Sequence, residues 1–428
     1  MRRDFLKLCG LAGLGFAAPF RLDDLRAEEK GKEAEPYGGP FFVVFNAAGG
    51  WDTTYLMDPK GVNGINRLYK DGDILTKGEH KFAPTKKHIK AGVSNEDFFE
   101  EFGADLLTLN GLDYSVNNHA PGERYTATGK LDSLAYPTFA ALVAACRGAD
   151  CPLAFLTFGN YSATGNLVAM SRVPYLPSLK RIANADAVEG NEKSPYHDKF
   201  ALDRIEEALK EHHGATGSQP QLPRAERAEN MLYAAQVNSK ALQRVTQFIP
   251  AHVPKERLSQ QAEIALASFK AGVCVSANLT IGQFDSHANN DADQMKLIPE
   301  LLAGIAYTIR RAGELKIREQ LVLVVQSEMG RTPTYNAGNG KDHWSIGSAM
   351  FLGKGVTGNR VIGATDEKQF AVPVSPETLK LDKDKGIRVR PEHVHESLRA
   401  FAGIADHPHA KKFPLGVPDK ERLQKFWG

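Results

Sequence analysis

"AGVCVSANLTIGQFDSHANN", residues 271–290, decides the fold. Its first half is a near-continuous apolar, β-branched run, the pattern of a strand buried on both faces. Its second half turns polar and carries Asp285 and His287 two residues apart. Five more runs read the same way: "PFFVVFNAAGG" (40–50), "ADLLTLNGL" (104–112), "PLAFLTFG" (152–159), "EQLVLVVQSEMG" (319–330) and "SAMFLGKGV" (348–356). Helical patterns alternate with them over 137–147, 256–271, 293–314 and 391–403, the first and last beside a proline suited to a first helical turn. This alternation predicts an α/β fold with a mostly parallel central sheet covered by helices on both faces.

In such sheets, sites gather where strand C-terminal ends run into loops. The loop after 40–50 supplies Asp52 in "GGWDTT", and the one after 104–112 supplies His119 in "NNHAPGERYTATG". The loop after 271–285 supplies Asp285 and His287, and the one after 319–330 supplies Glu328 in "SEMGRTP", followed by "KDHW" with His343. Singly, such an Asp reads equally as a turn or cap residue, and such a His as a structural group. Together, carboxylates and imidazoles from several strand ends suit zinc, manganese or iron better than calcium, which wants oxygen alone.

The set "GGWDTT", "FDSHANN", "SEMGRTPTYN", "DHW", "LGKGVTGNRVIGATD" and "VRPEHVHESLRAFAGI" resembles the domain-of-unknown-function family 1501, over nearly the whole chain after the leader. That family is similar in layout to the alkaline phosphatase and sulfatase superfamily. The resemblance implies an alkaline phosphatase-like sandwich and hydrolysis of a small anionic phosphate or sulfate ester with one or two divalent metal ions. By this likeness Asp285, His287 and His343 form one metal site, and Asp52 and Glu328 belong to a second. Thr128-Gly129 stands where the superfamily has Thr-Gly nine residues after its nucleophile. His119 therefore occupies the nucleophile's seat, in place of Ser, Thr or Cys. It is either a ligand of the second metal or a nucleophile, and the ligand role is favoured. Met329 replaces the second site's histidine. Arg331 either meets a substrate anion or orders a carboxylate. Asp342 is expected to orient His343. A relative that only binds a ligand through the same cleft is the alternative.

Other candidates rank lower. Thr53 and Thr54 are fallback nucleophiles or cap residues, and Trp344 shields or packs. His393 and His395 lie two apart on a helix and are expected at the surface, while His407 and His409 form an accessory metal candidate.

The chain has 428 residues, 42% hydrophobic and 24% charged, with a formal net charge of +2. This composition is ordinary for a globular protein and has no concentrated basic stripe, so nucleic-acid binding has no electrostatic support. "MRRDFLKLCGLAGLGFAAPF" joins paired arginines to a short apolar run, which resembles a twin-arginine signal over 1–27, followed by a linker over 28–38. One domain, 39–428, is expected beyond it, with insertions near 185–230 and 365–390. Such a leader implies the twin-arginine translocase as an export partner and a periplasmic or extracellular address. No later run of 18 apolar residues exists, so no membrane span is expected after cleavage. An oxidising compartment would allow a Cys146–Cys151 bridge, and Cys274 reads as a buried thiol. Replacing Arg2 and Arg3 with lysine should hold the precursor in the cytoplasm, as read by immunoblotting of cell fractions. Undiminished periplasmic recovery would refute the export signal.

Overall fold

The computed structural model describes residues 36–62, 64–149, 151–173, 176–183, 186–188, 191–216 and 242–428. The expected signal segment 1–27, most of the 28–38 linker and part of the 185–230 insertion lie outside the described residues.

Among the described residues the sheet has eight strands: β1 (Phe41–Ala47), β2 (Leu107–Asp113), β3 (Phe155–Thr157), β4 (Met170–Ser171), β5 (Ser276–Ile281), β6 (Leu321–Gln326), β7 (Ile346–Gly353) and β8 (Arg360–Ile362), in the order β8-β2-β7-β6-β1-β5-β3-β4. All six expected runs are among them. β1 pairs in parallel with β6 and β5, as β5 does with β3, β3 with β4, and β8 with β2. β7 alone runs antiparallel to both neighbours, β6 and β2. Apolar content marks a buried strand but not its direction, so this reversal was not in the pattern.

Among the described residues, the helices that bear on the site and the two cores are α1 (Asn95–Phe102), α2 (His119–Thr128), α3 (Phe139–Arg147), α4 (Arg257–Lys270), α5 (Asn290–Glu314) and α6 (Pro391–Phe401). The two-residue period of a strand sorts side chains between the faces. Phe41, Val43 and Phe45 join Leu321, Leu323 and Val325 in one core, covered by α1, α4 and α5. Phe42 and Val44 join Val322 and Val324 in the other, covered by α3 and α6. Each apolar strand thus feeds two cores at once, which is why its sequence does not alternate. Pro391 opens α6 as expected, whereas α3 starts at Phe139 behind the Thr138 cap, whose hydroxyl accepts from the Ala141 amide at 3.2 Å.

One possibility is not realised and one expectation is corrected. Cys146 and Cys274 carry free thiols, so the Cys146–Cys151 bridge is not formed. His393 and His395 are buried rather than at the surface. Spacing of two does put them on different sides of α6, but both sides are covered: His393 Nδ1 accepts from the Arg390 amide, and His395 Nε2 donates to the Thr126 carbonyl of α2 at 2.8 Å. His407 caps the short helix Pro408–Lys411 by accepting from the His409 amide, so that ring serves the backbone.

Burial lowers the His395 imidazole to about 4, the Thr126 hydrogen bond opposing this and Arg399 adding to it. The ordinary value in an unfolded chain is about 6.5. Between those values the unfolded chain binds the extra proton, so stability falls as pH drops from about 6.5 towards 4. The loss should reach on the order of 2–3 kcal/mol from this group. A His395→Gln variant should show a flatter acid limb of melting temperature against pH; an unchanged limb would refute the assignment.

Candidate metal centre

The C-terminal ends of β1, β2, β5 and β6 lie at one edge of the sheet. Because β7 is antiparallel, its start lies there too, with Ile346 across from Asp113 at the end of β2. His343, three residues before Ile346, therefore reaches the same edge as Asp52, His119, Asp285 and Glu328. A two-residue ladder, Gly330–Arg331 with His343–Trp344, fixes it there.

The imidazoles converge on Asp285. Its Oδ1 lies 3.1 Å from His343 Nε2 and 3.1 Å from His287 Nε2, and its Oδ2 lies 3.4 Å from His119 Nε2. His287 Nε2 and His343 Nε2 are 3.0 Å apart. Each ring's other nitrogen faces an acceptor. His343 Nδ1 meets the Asn117 carbonyl at 2.9 Å, His287 Nδ1 meets Asp342 Oδ1 at 2.9 Å, and His119 Nδ1 meets Glu328 Oε1 at 3.0 Å. With hydrogens on the three Nδ1 atoms, toward those acceptors, the three Nε2 lone pairs point inward. Lone pairs this close, beside a carboxylate, repel unless a positive centre sits among them. Protons on the Nε2 atoms would relieve this by donating to Asp285, and a cation among them would relieve it as well. Ligand atoms of His119, Asp285 and His343 lie within 4.8 Å of one another, the one such group found among the described residues. The donor set, imidazole nitrogens with a carboxylate and an acceptor behind each ring, fits a divalent transition metal.

Arg331 holds this arrangement together. Its side chain is fully buried. Nε donates to the Gly50 carbonyl at 2.8 Å and one terminal nitrogen to the Lys341 carbonyl at 3.1 Å. The other donates to the Gly49 carbonyl and to Asp285 Oδ1, the latter at 2.7 Å. Burial would raise the Asp285 carboxyl, but the hydrogen bond and charge of Arg331 outweigh it and hold it down at about 2. Glycine is required at 49, where φ is +116° and a Cβ would sit 2.5 Å from the Asp285 amide. The Gly49 N–H donates to Glu328 Oε1 at 2.7 Å. Gly340 is likewise packed against the His287 carbonyl carbon, 1.9 Å from where a Cβ would be.

Several sequence assignments change place. Asp52 stands apart from the imidazoles in a fully buried pocket. Lys341 Nζ lies 2.6 Å from its Oδ2, which also accepts from Asn290 Nδ2 at 3.0 Å; its Oδ1 accepts from the Thr54 hydroxyl and amide at 2.6 and 3.1 Å. Thr53 and Thr54 belong to the 3-10 turn that Asp52 caps, and both are buried. Glu328 lies behind His119 rather than beside Asp52. Asp342 orients His287, not His343. Arg331 keeps one of its two expected roles, ordering a carboxylate, that of Asp285. Trp344 donates to the Gln369 carbonyl at 2.9 Å and packs against Phe370, on the side of its strand away from His343.

Sequence reasoning missed Lys341, Asn290 and Gln294. Gln294 accepts from the Asp52 amide and donates to the Phe284 carbonyl and Ser286 hydroxyl, at 2.9, 3.0 and 3.0 Å. Their signal was available: Asn290 and Gln294 are four apart at the start of α5, on one face directed at the sheet edge. Glu123, one turn beyond His119, was also missed; burial, then the Glu328 charge, raises its carboxyl, with His119 opposing.

The family model for "Protein of unknown function (DUF1501)" matches residues 43–393. The chain belongs to the DUF1501 family. No curated protein matches the sequence. Among solved structures, this DUF1501 chain is similar to the lipoteichoic acid synthase LtaP from Listeria monocytogenes, at 8% identity and a TM-score of 0.39, over 94% of this chain and 78% of that one. It is similar to PsFucS1 sulfatase from Pseudoalteromonas sp., at 9% identity and a TM-score of 0.37, over 97% and 74%. It is also similar to Ps i-CgsB, at 10% identity and a TM-score of 0.37, over 91% and 75%. Likenesses this distant say nothing about substrate or mechanism.

Arg331→Lys keeps the charge but loses the planar fork, and Arg331→Met loses both. Either should cost about 2–4 kcal/mol in a denaturant titration, since several buried carbonyls lose their donor. A loss below about 1 kcal/mol for Arg331→Met would show that the guanidinium does not hold these loops.

Proposed function

We propose that this DUF1501 protein is an exported, metal-dependent hydrolase of small phosphate or sulfate esters. The observation that carries the reading is the convergence of three imidazole Nε2 atoms on Asp285, each ring backed by an acceptor. When bound, a divalent ion supplies positive charge against the anionic oxygens of an ester. His343, His287, His119 and Asp285 would hold it. Glu328, Asp342 and the Asn117 carbonyl would keep the rings turned inward, and Arg331 would fix Asp285. Hydrolysis adds water to phosphorus or sulfur, breaks the bond to the alcohol oxygen and gives that oxygen a proton. His119 serves as a ligand in this reading. The leader with Arg2-Arg3 supports export by the twin-arginine translocase, and among the described residues no helix is long and apolar enough to cross a membrane.

A second reading has its own observation. Residue 119 has neither hydroxyl nor thiol, and Asp52 is paired to a lysine, so the same cleft could hold an anion without turning it over. Metal analysis with aryl phosphate and aryl sulfate assays separates the two. The hydrolase should bind zinc, manganese or iron, and chelator should lower its melting temperature, because the ion binds only the folded chain. A His287→Ala, His343→Ala double variant should respond little to chelator. His119→Ala should lose metal affinity by about 10- to 100-fold, as ligand-shell changes do elsewhere. Metal-loaded protein inactive on every ester would favour the binding reading. Equal chelator responses in wild type and double variant would remove both.

A further inference from the structure

The pocket around Asp52 is built for a cation, and the chain fills it. The carboxylate is fully buried, and its two oxygens receive four donors: Lys341 Nζ, Asn290 Nδ2, and the Thr54 hydroxyl and amide. The Lys341 side chain is also fully buried. Its ammonium lies 5.6 Å from the Tyr55 ring centroid and 5.2 Å from that of Tyr335, within reach of cation–π attraction. Tyr55 and Tyr335 are held in place by donating to Asp291 Oδ1 at 2.6 Å each. The pocket is therefore an acidic oxygen walled by two phenol rings, with a positive centre already inside.

The backbone of Lys341 connects that pocket to the imidazole cluster. Its amide donates to the Ser286 carbonyl at 3.0 Å, between Asp285 and His287, and its carbonyl accepts from Arg331. Asp342 and His343 follow directly. Anchoring the ammonium on Asp52 thus fixes the start of the segment that carries His343.

We propose that Lys341 is an internal cation standing where a second metal ion would otherwise neutralise Asp52, so that the chain binds one divalent ion rather than two. The proposal rests on the metal reading of the imidazole cluster only for the ion that the chain does bind. The assignment of Lys341 to the Asp52 pocket stands by itself. The resemblance noted in the sequence expects Asp52 as a metal ligand; the geometry assigns its charge to the lysine. A buried carboxylate needs a partner of opposite charge, and a covalently attached one cannot be lost to chelator or dilution.

Zinc titration followed by metal analysis of the desalted full-length mature protein tests this. Wild type should retain one zinc per chain, and Asp52→Asn should also retain one. Two zinc ions in wild type, falling to one in Asp52→Asn, would overturn the proposal while leaving the metal cluster intact. Zinc-free wild type would remove the cluster reading, and the lysine variants would still decide the pocket. Lys341→Ala should melt lower than wild type, and millimolar propylammonium, the severed part of the side chain, should raise its melting point while leaving wild type unmoved. A second zinc retained by Lys341→Ala and absent from Lys341→Ala with Asp52→Asn would support it equally. No response of Lys341→Ala to either cation would overturn it. If Lys341→Ala is recovered only as aggregate, the neutral pair Asp52→Asn with Lys341→Met decides. Retention of the wild-type zinc count supports the proposal, and loss of an ion overturns it.

Discussion

The candidate site depends on one guanidinium. Arg331 leaves the end of β6 by way of Ser327–Gly330 and inserts its fork between three loops. It binds the carbonyls of Gly49 and Gly50 after β1, the carbonyl of Lys341 before β7, and the carboxylate of Asp285 after β5. A lysine has no planar set of donors to satisfy acceptors in three directions. Loops at strand ends are ordinarily the mobile part of an α/β fold. Here they share a fully buried charged group, so a displacement of one strips hydrogen bonds from the others. The position of Asp285, and with it the point on which the imidazoles converge, follows from this shared anchor.

Most of the architecture was legible because burial on both faces leaves a strong mark. Six apolar runs gave six strands, since a strand feeding two cores has no polar side to interrupt it. The reversal of β7 was hidden for the same reason: hydrophobicity has no direction. That reversal turned out to be what brings His343 to the edge shared by four C-terminal ends. Short ladders carried little signal, being held by local turns rather than by periodic burial.

The site was legible in its members more than in its pairings. Asp285, His287, His343 and His119 all reach the cluster, and His119, expected with Asp52 and Glu328, stands beside Asp285 and His343. Asp342 is adjacent to His343 in sequence but bonds His287, because consecutive residues in an extended segment point to opposite sides. Glu328 and Asp52 both follow central strands, yet they finish in different environments. Glu328 backs His119, while Asp52 turns under α5 to meet Asn290, Gln294 and Lys341. Spacing along a chain reports which loop a residue occupies. The direction of its side chain is set by contacts with other loops, which a single sequence does not display.

The contrast between the two neighbouring environments gives the edge its chemical character. Around Asp52 every oxygen is matched by a donor from a buried residue, and charge is neutralised from within the chain. Around Asp285 the side chains remain partly open: 20% exposed for His343, 35% for His119 and 47% for His287. Their Nδ1 atoms face acceptors, and their Nε2 atoms turn toward Asp285. A closed, self-neutralised pocket resists rearrangement, since separating a buried ion pair leaves an uncompensated charge. An open cluster of lone pairs can accept a cation and still present it to solvent. The first supplies the rigid floor, because Lys341 begins the segment that ends in His343. The second leaves its side chains where an external anion can reach them.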